Sequence, residues 1–323
     1  MVLQSDNFIL DIERWIKAYK SNIVALSYSN NTISLYNRAI DQFYEYVLSN
    51  RDDMELRKIN SIYITNFLAY LEDEARVRGK KVVNGSYLSK STKNTYLKAV
   101  KSLFSFISDN NDDLYTFDRF FKKIKIADSS QLEDKLVYLS EDEIDRLLDV
   151  IEKYKNEKGR YKDFRNALLV KLLLNSGLRI SEALNLSLSD FKDSEYDNVY
   201  SIDIYAKGGK KQIAYILKDN IDDELAYFRD DIKIDEDSKI MVSGVTNIKQ
   251  WNRSSAFVVV NNLYKEVGIK KRGLHLLRHT LAMRLTKRDV NPIIIKKILR
   301  HSNIATTTIY AKATVGSVVG VLV

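Results

Sequence analysis

The segment His275–Tyr310 reads HLLRHTLAMRLTKRDVNPIIIKKILRHSNIATTTIY. It holds all three histidines of the chain, His275, His279 and His301, and its one proline, Pro292. Three histidines scattered at random over 323 residues rarely fall within a span of 27. Imidazole is the side chain that gains or loses a proton near neutral pH. Its confinement here points to proton-transfer chemistry, with Arg278 and Arg300 as fixed positive charge.

Composition limits what that chemistry is. The chain has 323 residues, which suits two domains. A hydrophobic fraction of 45% with 29% charged residues is ordinary for a soluble globular protein. No window approaches 18 consecutive apolar residues, so no membrane span and no membrane partner are expected. The start, MVLQSDNFILDIERW, lacks the basic-then-apolar layout of a secretory signal. Cysteine is absent, which excludes disulfides, cysteine nucleophiles and thiolate metal sites and suits a cytoplasmic location. With three histidines and no cysteine, a structural zinc site is not expected. The net charge of +8 favours a polyanionic partner, nucleic acid first, although many soluble proteins are mildly basic. One proline and 11 glycines predict a helix-rich fold.

Upstream of the histidine segment, Ser140-Glu141-Asp142-Glu143 is a capping box that opens a helix through about Tyr154. Residues 161–175 form an apolar helix that ends at Asn175-Ser176-Gly177, with Gly177 in the left-handed cap position. Arg179 follows at a helix-to-helix corner among apolar neighbours, where an arginine is costly unless paired or bound to an anion. Two readings stand: an ion pair with Glu182 one turn on, or an anion site. Residues 199–217 switch to a period of two, and Gly208-Gly209 reads as a two-residue hairpin turn. Lys207, Lys210 and Lys211 crowd its tip, either to deliver a proton or charge or simply as a soluble turn. An acidic helix over 219–230 is expected to face solvent. A short strand at Lys239–Val242 and a helix over 246–267 complete this half. No Gly-x-x-x-x-Gly-Lys or Gly-x-Gly-x-x-Gly motif occurs, so nucleotide hydrolysis and dinucleotide redox chemistry have no support.

Two arginines with histidines and a lysine suit a phosphate on which negative charge develops. No acidic cluster suggests a catalytic metal. A tyrosine at the end of such a set is a candidate covalent nucleophile, although with 20 tyrosines in the chain Tyr310 by itself means little. In order and spacing, the pieces Ser176–Leu184, Ala206-Lys207-Gly208, His275–Thr280 and Leu299–Tyr310 resemble the tyrosine recombinase (phage integrase) family, Xer-type recombinases included. The resemblance covers about residues 138–312. It implies that Arg179 and Arg278 clamp the scissile phosphate, and that His275 is a base or hydrogen-bond partner with His301 a further donor. It also implies that Lys207 protonates the leaving 5′-hydroxyl and that Tyr310 attacks phosphorus to give a 3′-phosphotyrosyl link. Glu182 orients Arg179, His279 supports the site, and no cofactor or metal takes part. The partners so implied are double-stranded DNA and three further copies of the chain, as a homo-tetramer on two DNA sites in the nucleoid. A type IB topoisomerase-like nicking-closing enzyme and a DNA-binding protein without catalysis are the alternatives.

Three departures from the family pattern stand out. Arg300 replaces a frequent glycine and is expected to alter the loop or add a phosphate contact. Lys210 competes with Lys207 as the acid. The tail AKATVGSVVGVLV is short and rich in valine and glycine where a charged helix or strand is usual.

The N-terminal half reads as four or five helices with apolar stripes, among them Phe8/Ile12/Trp15, Ile40/Phe43/Val47, Ile64/Phe67/Leu71 and Leu97/Val100/Phe104/Ile107. The fourth is expected to be capped by Ser91, with a shorter helix over Leu114–Lys123. Lys93, Lys98 and Lys101 on the fourth helix, with Lys80 and Lys81 in the loop before it, form a basic face for phosphate backbones or a solvated surface. The expected fold is therefore mostly α with a small antiparallel β-sheet. A helical core-binding domain spans 1–124, a polar linker 125–138, an α+β catalytic domain 139–312 and a tail 313–323.

Overall fold

The computed structural model describes residues 3, 7–50, 55–79, 82, 85–126, 137–205, 211–244 and 249–300. The backbone separates into two compact units, Met1–Ser130 and Gln131–Val323.

In the first unit α1 spans Phe8–Ala25, α2 Asn30–Ser49, α3 Ser61–Val77, α4 Lys90–Asn110 and the short α5 Asp118–Phe121. Asn7, Ser29, Asn60 and Ser89 cap the first four, each accepting from a first-turn amide that lacks an intrahelical partner. The cap of α4 is thus Ser89 and not Ser91: Ser89 Oγ accepts from Thr92 N at 3.0 Å, and Ser91 already lies in the first turn. The apolar stripes meet in one core in which Phe43 lies edge-on to Phe67 and Phe104, with ring centres 5.2 and 5.8 Å apart. The short helix is confined to Asp118–Phe121 and folds Phe117 and Phe121 onto Phe104.

The second unit starts with α6, Glu141–Lys158, and its capping box is present in both directions: Glu143 N donates to Ser140 Oγ and Ser140 N to Glu143. This helix runs one turn beyond Tyr154 and stops where Gly159 turns left-handed. Helix α7, Tyr161–Asn175, is buried nearly all round and is followed by the one-turn α8, Ile180–Ala183. Strands β1 (Phe191–Asp193), β2 (Val199–Tyr205) and β3 (Lys211–Leu217) form an antiparallel sheet in the order β1-β2-β3. The register pairs Tyr205 with Lys211 and Val199 with Leu217. The turn residues themselves lie outside the described set.

The acidic segment after the sheet corrects an expectation. It splits into α9 (Asp222–Ala226) and a π-helical turn at Tyr227–Asp231, and it is anchored rather than solvated. Leu225 and Phe228 join the core, and the Glu224 side chain is fully buried. Its Oε1 accepts from Lys155 at 2.6 Å and from Lys171 at 2.8 Å, so a buried carboxylate is matched by the buried ammonium group of α6 and the partly buried one of α7. Lys239 and Val242 make only isolated bridges, to Ser187 and Gln250. The helix expected over 246–267 is shorter, α10 at Arg253–Glu266 capped by Asn252. Helices α11 (His275–Lys287) and α12 (Pro292–Leu299) follow, the latter with Pro292 in its first turn, where a missing N–H costs nothing. No described helix is long and apolar enough to cross a membrane.

Candidate active site

Three chain turns build the site. The first is Gly177, which ends α7 at φ +62°. A Cβ here would lie 2.9 Å from Leu299 Cδ2 and 3.2 Å from Leu281 Cδ2. Glycine therefore serves both the left-handed backbone and the close approach of α11 and α12. Immediately after it Arg179 caps α8. Glu182 accepts from Arg179 N at 2.8 Å and from Arg179 Nη1 at 2.7 Å.

The second turn is the end of α12. The last carbonyls of a helix have no intrahelical donor and carry the negative end of its dipole. Arginines fill that role here. Arg278 donates to the Leu299 carbonyl, and Arg179 Nη2 donates to the Arg300 carbonyl at 2.8 Å. Arg278 also donates to the carbonyl of Gly177. Two arginines far apart in sequence thus converge on one helix end, one residue before His301. Arg278 is buried, whereas the Arg179 side chain is 37% exposed and open to an incoming anion.

Arg300 takes the left-handed conformation, φ 51° and ψ 46°, and its guanidinium turns inward. Nη2 donates to the Gly177 carbonyl and to Glu182 Oε2, both at 3.0 Å, and Nη1 to the Ile298 carbonyl at 3.0 Å. The side chains of Arg300 and Glu182 are each 6% exposed. Of the two outcomes expected for Arg300, the described geometry is that of a residue that shapes the turn, with its charge directed to protein groups. Glu182 consequently serves two arginines. Burial pushes its carboxyl up, but hydrogen bonds from Arg179 and the charges of Arg300 and Arg179 outweigh it and hold the group below the usual carboxylate range. Both readings of Arg179, the ion pair and the anion site, are compatible in this arrangement.

The third turn is the start of α11, where His275 and Arg278 lie one helical turn apart on one side. His275 Nε2 is 3.4 Å from Arg253 Nη2. A guanidinium only donates, so this contact uses the Nε2 lone pair of a neutral ring. Solvent reaches His275, yet the surrounding protein first, and then the charges of Arg253, Arg278 and Arg179, lower its pKa. Burial, then His275 and Arg278, lower that of His279, whose ring centre is 6.4 Å from that of His275. The two imidazoles line a cavity of about 300 Å³ with Val137, Arg253, Phe257 and Arg272. Arg253 was not legible as a site residue, and Arg300, expected to shape the loop or contact phosphate, turns inward. Arg253 is 22 residues from His275 and carries no local signal.

Lys207, Lys210, His301 and Tyr310 lie outside the described residues, as do Lys80 and Lys81. On α4, Lys93 is ion-paired with Glu72 of α3, while Lys98 and Lys101 are exposed.

The phage integrase family profile matches residues 137–316, the stretch that contains these residues. A phage integrase SAM-like domain profile matches residues 7–119. The chain belongs to the phage integrase family, the tyrosine recombinases, enzymes that break and rejoin DNA strands. Among its relatives is the tyrosine recombinase XerH of Campylobacter jejuni, 30% identical over 250 residues, which cover 75% of this chain and 68% of that one. XerD of Oceanobacillus iheyensis is 24% identical over 296 residues, covering 88% and 89%. The fold is similar to that of XerH in a post-cleavage complex with a palindromic difH substrate, at TM-score 0.81 and 20% identity over 98% of this chain and 97% of that one. It is also similar to lambda integrase in a tetramer bound to a Holliday junction, at TM-score 0.61 and 16% identity over 90% and 77%.

Proposed function

We propose that this chain is a site-specific recombinase that cuts and rejoins double-stranded DNA through a 3′-phosphotyrosyl intermediate. The observation that carries the reading is the convergence of Arg179 and Arg278 on the successive carbonyls of Arg300 and Leu299, directly before His301. A clamp held in place by its own scaffold reorganises little when phosphate enters, which is how fixed donors stabilise a transition state that gains negative charge.

The phenolic oxygen of Tyr310 attacks phosphorus, and its proton passes to His275: the lowered pKa keeps the ring neutral at neutral pH, and its Nε2 lone pair exchanges the Arg253 contact for that proton. The new P–O(Tyr310) bond replaces the P–O5′ bond. The departing 5′-oxygen takes a proton from Lys207, and His301 adds a hydrogen bond to a non-bridging oxygen. Attack by a 5′-hydroxyl from another strand reverses these steps and needs no external energy, since one phosphodiester replaces another. The DNA-bound state of the XerH neighbour and the tetrameric state of the lambda integrase neighbour support duplex DNA as substrate and a homo-tetramer on two sites as the working assembly. Exposed Lys98 and Lys101 are the part of α4 that lies against phosphate backbones.

The test is to trap covalent complexes on nicked suicide duplexes tiled across the host locus, in EDTA, and to sequence the attached DNA. One recurring inverted-repeat sequence is the expected result. Adducts at random sequence, or none without magnesium, would contradict it.

A further inference from the structure

We propose that Arg300 is a positioning residue that couples the two phosphate-clamping arginines to each other. The inference rests on the phosphate-clamp reading above and assigns Arg300 no contact with DNA.

The argument starts from cost. A non-glycine residue in the left-handed region loses about 1–2 kcal/mol relative to glycine. A buried guanidinium adds a desolvation penalty unless its donors are used. Burial indeed lowers the pKa of Arg300, against the opposing pull of Glu182. Both costs stand against the contacts that the side chain makes. Three acceptors meet the side chain: the Gly177 carbonyl, Glu182 Oε2 and the Ile298 carbonyl.

Two of those three acceptors are shared with the clamp. The Gly177 carbonyl also accepts from Arg278. The Glu182 carboxylate also accepts from Arg179, and Arg179 in turn donates to the backbone carbonyl of Arg300. Arg300 therefore touches the partner of each clamp arginine with its side chain, and one of the arginines with its backbone. It closes a ring that runs Arg278, Gly177, Arg300, Glu182, Arg179 and back to the end of α12. The ring holds three guanidinium groups and one carboxylate, which leaves an excess positive charge for a phosphate. A glycine at position 300 keeps the backbone turn and the carbonyl but removes both side-chain links, so the spacing of Arg179 from Arg278 loses a constraint. Displacements of about 1 Å at a reacting group cost on the order of 100-fold in rate.

The test uses the full-length chain on a nicked suicide duplex of the trapped sequence, with single-turnover cleavage and DNA binding measured separately. Arg300→Gly is expected to bind DNA within about twofold of wild type, to lose about 100-fold in cleavage rate and to stay folded at the assay temperature, the relieved left-handed backbone offsetting part of the lost contact with Glu182. Millimolar guanidinium or methylguanidine is expected to restore part of the lost rate by filling the vacated site. Arg300→Lys, which supplies one point charge but no planar fork, is expected to fall between the two. A wild-type cleavage rate for Arg300→Gly overturns the coupling. So does a rate loss matched by a loss of melting temperature in both variants with no guanidinium rescue, which is the signature of a purely structural residue. Tyr310→Phe run in parallel separates this inference from its premise: an adduct formed by that variant removes the reading itself, whereas no adduct there with full activity in Arg300→Gly removes only the coupling.

Discussion

Arg278 and Arg300 donate to the same backbone carbonyl, that of Gly177. One glycine thus sets a left-handed turn, admits Leu299 against it and supplies the oxygen at which two guanidinium groups meet. Gly177→Ala is the direct probe of this relationship. Its Cβ has a left-handed backbone to occupy and Leu299 Cδ2 at 2.9 Å to displace. The expected loss is about 2–4 kcal/mol of stability in urea denaturation, with cleavage lost at temperatures where the variant is still folded. A variant as stable and as active as wild type shows that the turn tolerates a side chain and that the convergence is incidental.

Glu182 answers Arg179 and Arg300 from a buried position. Removing one partner of a buried, hydrogen-bonded charge set costs about 3–5 kcal/mol, so Glu182→Ala is expected to be strongly destabilised. Glu182→Gln keeps the shape and one acceptor and is expected to fold but to cleave at least 10-fold more slowly at unchanged DNA affinity. Equal loss of affinity and rate in Glu182→Gln points to a general structural defect.

Stability carries a pH signature of the two histidines on α11. The folded pKa values of His275 and His279 lie below the ordinary 6.5. The unfolded chain therefore holds more protons at intermediate pH than the folded one does. The histidine contribution is fully present above pH 6.5, declines as pH falls from there to the lowered folded values, and levels below them. Urea midpoints measured between pH 7.5 and about 5 are expected to fall on acidification, and His275→Gln is expected to reduce the slope. A midpoint that rises on acidification in this window contradicts the lowered values.

DNA affinity divides the lysines of α4. Lys93 is already paired with Glu72, whereas Lys98 and Lys101 face solvent. The double variant Lys98→Ala/Lys101→Ala is expected to weaken binding uniformly across sequences and to reduce the slope of log K against log salt by about 2. Lys93→Ala is expected to change that slope by much less. A slope unchanged in the double variant makes this face a solvated surface.

The parts legible in the sequence are those specified locally. The capping box at Ser140, the left-handed Gly177 and the α7 boundaries each follow from residues within one or two turns, and the structure places them as read. The likeness of the four motifs to one family also located the arginine pair. What stayed hidden is non-local. The acidic helix read as solvated because nothing near Glu224 in sequence reveals Lys155 and Lys171, which come from other helices. Arg300 read as a candidate phosphate contact because an arginine beside a histidine suggests an anion. Its inward course depends on Gly177 and Glu182, more than 100 residues away.

The central claim is that Tyr310 forms a covalent bond to the DNA 3′-phosphate. The most direct measurement is mass spectrometry of the protease-digested adduct from a nicked suicide duplex, with Tyr310→Phe as the paired variant. The account predicts a nucleotide-bearing peptide that contains Tyr310, formed equally well in EDTA, and a Phe variant that binds the duplex normally but yields no adduct. An adduct on any other residue, or one that persists in Tyr310→Phe, would contradict it.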